Sequence, residues 1–297
     1  MNDARWPNLR SFRPGVIPLG PLQMGEIFSG TIATLRSHAA VLFGAALVIV
    51  AVGQLAALAV SYPLLDELPV IEEDATPQEA LAAASQGLAA SLAGLPFAVL
   101  AQIFVTGIAT VVVGKAVIGE SLSLADAWAQ CRPRLLPLLG LTVLVGALVA
   151  IGTMLFIVPG IWLMVLLSLA TPALILERTT IGHALVRSKD LVRNAWWHIF
   201  GILLITLLLN FGISVIISAP FELIGGDPTG TTSGEYLVLS TIGAIAAGAV
   251  TAPIAAVVIA LIYIDRRMRT EDLAVELARA AGLAPPEAGT TGRPHTG

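Results

Sequence analysis

Six long apolar runs decide what this chain can become: Ala39–Tyr62, Leu88–Ile118, Leu135–Val158, Ile161–Leu176, Ile199–Ala219 and Tyr236–Ile264. About 20 mostly apolar residues make a helix long enough to cross a bilayer. Only 12% of the 297 residues are charged and 56% are apolar, against about 25% charged in a soluble domain. Lipid is therefore the expected solvent for most of the surface. The fold class that follows is all-α: a polytopic membrane protein with six transmembrane helices. The fourth run is the shortest, and with its tight-turn partner and Pro172 it is expected to tilt little and sit near one interface.

The charges orient the chain. With the N-terminus inside and six crossings, all 16 Lys and Arg fall on the inner side. They occur before the first run, at the junction from Lys115 to Arg134, between Arg178 and Arg193, and after the last run. The outer segments hold Asp66, Glu67, Glu72, Glu73, Asp74, Glu79, Glu222, Asp227 and Glu235 instead. Basic residues flanking spans face the cytoplasm, so both termini are expected in the cytoplasm and the protein in an inner or plasma membrane. A reporter fused after Gly297 tests this, and an extracytoplasmic signal would contradict it. Met1–Gly20 carries Arg5, Arg10 and Arg13 but no apolar core, so it is not expected to act as a signal peptide. Cys131 is the single cysteine, which excludes an intramolecular disulfide.

Between the runs lie amphipathic segments. Thr180–His198 places Ile181, Ala184, Leu185, Ser188, Leu191, Val192, Ala195, Trp196 and Ile199 on one helical stripe, and His183, Arg187, Asp190, Arg193 and Asn194 opposite. Pro21–His38 has the stripe Met24, Ile27, Phe28, Thr31 and Leu35. Ser121–Cys131 has Leu124, Ala127, Trp128 and Cys131. The three align: Leu22–Phe28 matches Leu122–Trp128 and Thr179–Leu185, with Gly25, Ala125 and Gly182 equivalent, and Thr31, Cys131 and Ser188 equivalent. The unit expected is an interfacial elbow helix followed by two spans, repeated three times in pseudo-threefold fashion. Val158-Pro159-Gly160-Ile161 is expected to be a tight turn joining spans 3 and 4.

The domain boundaries expected are a disordered cytoplasmic arm over 1–20, a membrane domain over 21–269, and a cytoplasmic tail over 270–297. Thr76-Pro77-Gln78-Glu79 and Ser123 with Asp126 are helix-start signals. A helix from Pro77 to Gly114 would outrun the bilayer core, so its first turns are expected outside or on the surface. Gly94-Leu95-Pro96 marks an expected kink. Gly243/Ala247 and Ala244/Gly248 suit close packing of span 6. Thr270 is expected to cap a short separate helix to Ala281.

Convergent polar groups, the mark of an enzyme, are scarce. His38, His183, His198 and His295 have no metal-ligand spacing, and Cys131 lies on an apolar stripe. Catalytic, cofactor and metal sites are expected to be absent. Mid-run polarity is confined to Gln54, Gln102 and Asn210, as interhelical hydrogen bonds or as the lining of a substrate site. Glu177 ends a run beside Arg178. It is read as an anchor for the elbow, or, with His183, Arg187 and Arg193, as part of a head-group or ligand site. Expected partners are membrane lipids, with a second membrane protein or a second copy as further candidates. No nucleic-acid module or Gly-rich phosphate loop is visible.

The stretch IVPGIWLMVLLSLATPALILE, followed by Ala184, Leu185, Arg187, Ser188, Leu191, Arg193 and Trp196, resembles the membrane-domain family named for glycerophosphoryl diester phosphodiesterase. Arg13-Pro14-Gly15-Val16-Ile17-Pro18-Leu19 with Leu22, Met24 and Gly25 is similar to the N-terminus of bacterial members. The resemblance covers nearly the whole chain and is most specific over Pro159–Trp197. In that family the membrane region sometimes precedes a soluble phosphodiesterase domain. This sequence has no paired His/Glu/Asp cluster for such chemistry, so the resemblance carries no enzymatic activity over.

Three functions follow, with different demands on structure. A non-catalytic protein organising lipids or a partner at the cytoplasmic face needs a filled core and an exposed patch. A transporter or channel for a lipid-like or small solute needs a mid-membrane cavity lined by Gln54, Gln102 or Asn210. An intramembrane enzyme of phospholipid metabolism needs ionisable groups converging near one interface, with Glu177 and His183 the pair to inspect.

Overall fold

The computed structural model describes residues 15–18, 20–66, 76–120, 122–225 and 234–271. Ten α-helices, and no strand, occur among them: α1 Met24–Ser37, α2 Ala39–Asp66, α3 Pro77–Ala116, α4 Leu124–Cys131, α5 Leu135–Leu155, α6 Ile157–Leu167, α7 Ala170–Leu176, α8 Ile181–Arg193, α9 Trp196–Gly225 and α10 Gly234–Glu271. Six helical stretches are long and apolar enough to cross a membrane. The acidic loop at 67–75, the loop at 226–233 and the tail from 272 lie outside the described residues, as does most of the arm expected at 1–20.

Helices α2, α3, α9 and α10 form the central bundle, with α10 against the other three. Small residues permit the close contacts. A Cβ on Gly53 would stand 2.8 Å from the Ala101 methyl of α3, and one on Gly248 would stand 2.9 Å from Val50 of α2. The small residues expected to pack span 6 do so: Gly243 lies against Phe221, and Ala247 is buried. Away from the bundle axis the surface is apolar. Leu207, Leu208, Phe211 and Ile216 of α9 are 61–75% exposed. Exposed apolar surface on this scale is stable only against lipid or another protein.

The densest packing is at one end. Ile17, Leu22, Ile27, Leu138, Leu174, Leu191, Ile199, Ile202 and Tyr263 are wholly or almost wholly buried there in one cluster. Residues 15–18 are not a free arm. Val16 N–H donates to Ala116 O at 3.3 Å, Ile17 is buried, and a Cβ on Gly15 would collide with Ala116 O. The Leu22 backbone N–H donates to the buried Asp265 carboxylate at 2.7 Å, while Arg269 holds both that carboxylate and Leu22 O. Thr270 is not a cap, because α10 runs on through Glu271 and the Thr270 hydroxyl donates to Arg266 O at 2.9 Å.

Helices α1, α4 and α8 begin at the aligned positions Met24, Leu124 and Ile181. Their preceding residues Gln23, Ser123 and Thr180 share one extended conformation, with φ of −83°, −76° and −85°. Each helix buries the same two aligned positions: Ile27, Ala127 and Ala184, then Thr31, Cys131 and Ser188. The Ser123 hydroxyl accepts from Asp126 N at 3.2 Å, and α3 starts at Pro77, as the capping signals predict. At α1 a further reciprocal cap forms, with Gln23 N–H donating to Glu26 Oε2 at 2.7 Å.

The region around Pro159 departs from expectation. No four-residue turn forms there. Phe156 alone is extended, with φ −159° and ψ 147°, and α6 begins at Ile157 with Pro159 and Gly160 in its first turn. Pro is favoured in a first turn because the missing N–H is an unpaired donor there anyway. Gly160 is needed for contact: a Cβ would stand 2.8 Å from the Thr153 backbone of α5.

The fourth run is also two helices rather than one, broken at Ser168–Leu169. Pro172 has no N–H to return to Ser168 O, which removes one rung. Ser188 of α8 fills the gap. Its hydroxyl donates to Leu166 O at 2.8 Å and accepts from Leu169 N–H at 3.1 Å.

Helix α8 runs beside α6 and α7. Trp196 Nε1 donates to Trp162 O at 3.3 Å, and Val158 lines one cleft with Trp197 and His198. The start of α6 thus lies against the α8–α9 join, which six full crossings would place on opposite sides of a membrane.

Candidate functional site

Gln54, Gln102 and Asn210 come from three different helices, each near the middle of an apolar run, and line a single cleft. Its volume is about 280 Å³, and it lies among α2, α3, α9 and α10. Gly53, Ala101, Gly248 and Ala252 open it by having little or no side chain, and Thr251 adds a hydroxyl. Asn210 Nδ2 donates to Thr251 O at 3.3 Å, and Gln102 Nε2 donates to the Thr106 hydroxyl at 3.1 Å. Asn210 Oδ1 is buried and has no hydrogen-bond partner among the described residues. An unpaired buried acceptor costs about 1–3 kcal/mol, and this one belongs to a side chain that lines the cleft. Of the two sequence readings for these residues, interhelical bonding accounts for only one group of Asn210.

The second constellation centres on Glu177, between α7 and α8. Its Oε1 accepts from Arg187 Nε of α8 at 2.8 Å and from the Tyr263 hydroxyl of α10, and Arg267 Nε lies 3.6 Å away. Glu271 closes the set, pairing with Arg187 and with Arg267 at 2.9 Å. Burial alone would lower the Arg187 pKa, but the hydrogen bonds it donates to Glu177 and Glu271 outweigh this and raise it. Two carboxylates against two guanidinium groups leave the set neutral and mutually satisfied. That arrangement locks α7, α8 and α10 together and leaves no reactive group to spare.

The other candidates do not join it. Arg178, the sequence neighbour expected beside Glu177, adopts a left-handed conformation with φ 51° and makes no ion pair with it. His183 and Arg193 are exposed on the outer side of α8. Arg187, expected on that outer face, instead sits half-buried at its edge, because it lies three residues after Ala184 and four before Leu191. Tyr263, Arg267, Glu271 and the Asp265–Arg269 clamp were missed by sequence reasoning. Their signal was the density of charge after Ile264, read only as a membrane boundary. Among the described residues no group of His, Cys, Asp and Glu is arranged to hold a metal.

No family model matches the chain, and no curated protein or solved structure matches it either.

Proposed function

We propose that this protein is a non-catalytic membrane protein that takes up a small solute, or the polar part of a lipid-like molecule, in the cleft lined by Gln54, Gln102 and Asn210. The observation that carries this reading is the convergence of all three mid-run polar side chains on one opening, with the Asn210 acceptor unpaired. Ligand sites are concave and mostly apolar, with a few placed polar groups, and about 280 Å³ suits a small polar body. A protein that only organised partners would have no reason to keep this space unfilled. Of the pair singled out for the enzyme reading, His183 stays apart from Glu177, and the ionisable groups that do converge on Glu177 pair with one another. Transport or transfer through the membrane is the activity this cleft suits, with the basic end of the bundle in the cytoplasm. The aligned starts and matching buried positions of α1, α4 and α8 favour descent from a repeated unit. The family resemblance over Pro159–Trp197 is compatible with this role and supplies no chemistry.

Native mass spectrometry of gently extracted protein tests the reading. The wild type is expected to carry a bound species beyond bulk lipid. Gln54→Leu with Asn210→Leu should abolish it while the melting temperature holds or rises, since Leu removes an unpaired acceptor. Identical spectra from the two proteins would contradict it.

A further inference from the structure

We infer that a second cleft, between the end of α3, the α4–α5 junction and the end of α7, binds the phosphate of an anionic phospholipid. It is independent of the Asn210 cleft and shares no lining residue with it. The cleft measures about 610 Å³, and Lys115, Arg134 and Arg178 all line it, with Gln130 beside them. Val111 and Leu176 form part of an apolar wall.

Charge is what distinguishes this place. Arg187, Arg267 and Arg269 are held by carboxylates. Lys115 pairs with Glu120 at 2.7 Å. Arg134 and Arg178 make no ion pair with any described residue; Arg36, Arg132, Lys189, Arg193 and Arg266 make none either, but this cleft brings two such guanidinium groups together in one concavity. A guanidinium presents paired N–H donors that match phosphate oxygens.

The backbone supports the same assignment. Arg178 is the one described non-glycine residue with positive φ, a conformation that costs about 1–2 kcal/mol for a residue with a Cβ and collects at functional sites. It takes this side chain out of the Glu177 network next door and lines the cleft with it. The apolar wall offers the lipid's glycerol and first methylenes a surface, so the ligand is an amphiphile rather than a free anion.

The test uses the full chain in phosphatidylcholine nanodiscs containing a minor share of phosphatidylglycerol. Native mass spectrometry counts the phosphatidylglycerol retained. Arg134→Gln and Arg178→Gly should each lower retention roughly tenfold, the scale set by losing one hydrogen bond to a charged group. Arg178→Gly also relaxes the left-handed backbone, so its melting temperature should hold or rise, which separates lost binding from lost folding. The control pair Arg36→Gln with Arg193→Gln removes two charges at the same end, twice what either cleft variant removes, and should change retention less than about twofold, as diffuse surface attraction is weak per charge. Equal losses in cleft and control variants would overturn the site. So would displacement by inorganic phosphate as effective as by short-chain phosphatidylglycerol, which would leave the apolar wall without a part.

Discussion

Glu177 ties three elements through one oxygen, and its removal should be felt in stability. Glu177→Ala leaves Glu271 as the single carboxylate against both Arg187 and Arg267, and leaves the buried Tyr263 hydroxyl without its acceptor. Breaking a buried charged contact costs about 3–5 kcal/mol, and partial exposure of the guanidinium groups reduces this to roughly 2–4 kcal/mol. Thermal unfolding of the detergent-extracted variant checks it; unchanged stability with lost ligand binding would make Glu177 a site instead. The importance of this acid was legible, because it ends an apolar run. Its partners were not. Arg178 is adjacent in sequence but its left-handed backbone turns it into another cleft, and Tyr263 and Arg267 arrive from the far end of the chain. Only Arg187 had a local signal, its helical spacing from Ala184 and Leu191.

At the scale of elements, the break between α6 and α7 depends on a residue of α8. Ser188 supplies one donor and one acceptor where the helix supplies neither. Ser188→Ala should cost about 1–3 kcal/mol, the penalty for leaving buried backbone groups unpaired. It should also speed hydrogen exchange at the Leu169 amide. Unchanged exchange at Leu169 would show that the break does not need Ser188. Sequence pattern located the helix starts well, since caps and apolar stripes are local: Met24, Leu124 and Ile181 all begin helices. It misread Pro159-Gly160 as a turn because the same pair also suits a helix's first turn. The choice was made by the contact of Gly160 with Thr153, which no local pattern contains. The division of the fourth run was hidden for the same reason, as Ser188 looked like one more member of an apolar stripe.

For the whole molecule, the one-sided distribution of Lys and Arg is insensitive to how the α5–α6 hairpin sits. No charged residue lies between Arg134 and Glu177, so a hairpin that crosses fully and one that turns back part-way place every charge on the same side. The charge pattern therefore gives an expected orientation for the bundle of α2, α3, α9 and α10 without specifying the hairpin. The same bundle assembles the central cleft. Each of Gln54, Gln102 and Asn210 stood out as polar in an apolar run, but their meeting depends on how four helices rotate and pair. That rotation is set by contacts such as Gly53 with Ala101 and Gly248 with Val50.

The most direct measurement is thiol accessibility in native membranes. It compares Asn210→Cys with Leu209→Cys and Phe211→Cys, all in a Cys131→Ser background. Leu209 and Phe211 are 50% and 67% exposed on the apolar outside of α9. Thiol reagents attack the thiolate, which apolar surroundings suppress. A polar, ligand-accepting cleft predicts modification at position 210 roughly tenfold faster than at either neighbour. A thiol at 210 no more reactive than those at 209 and 211 would contradict the account.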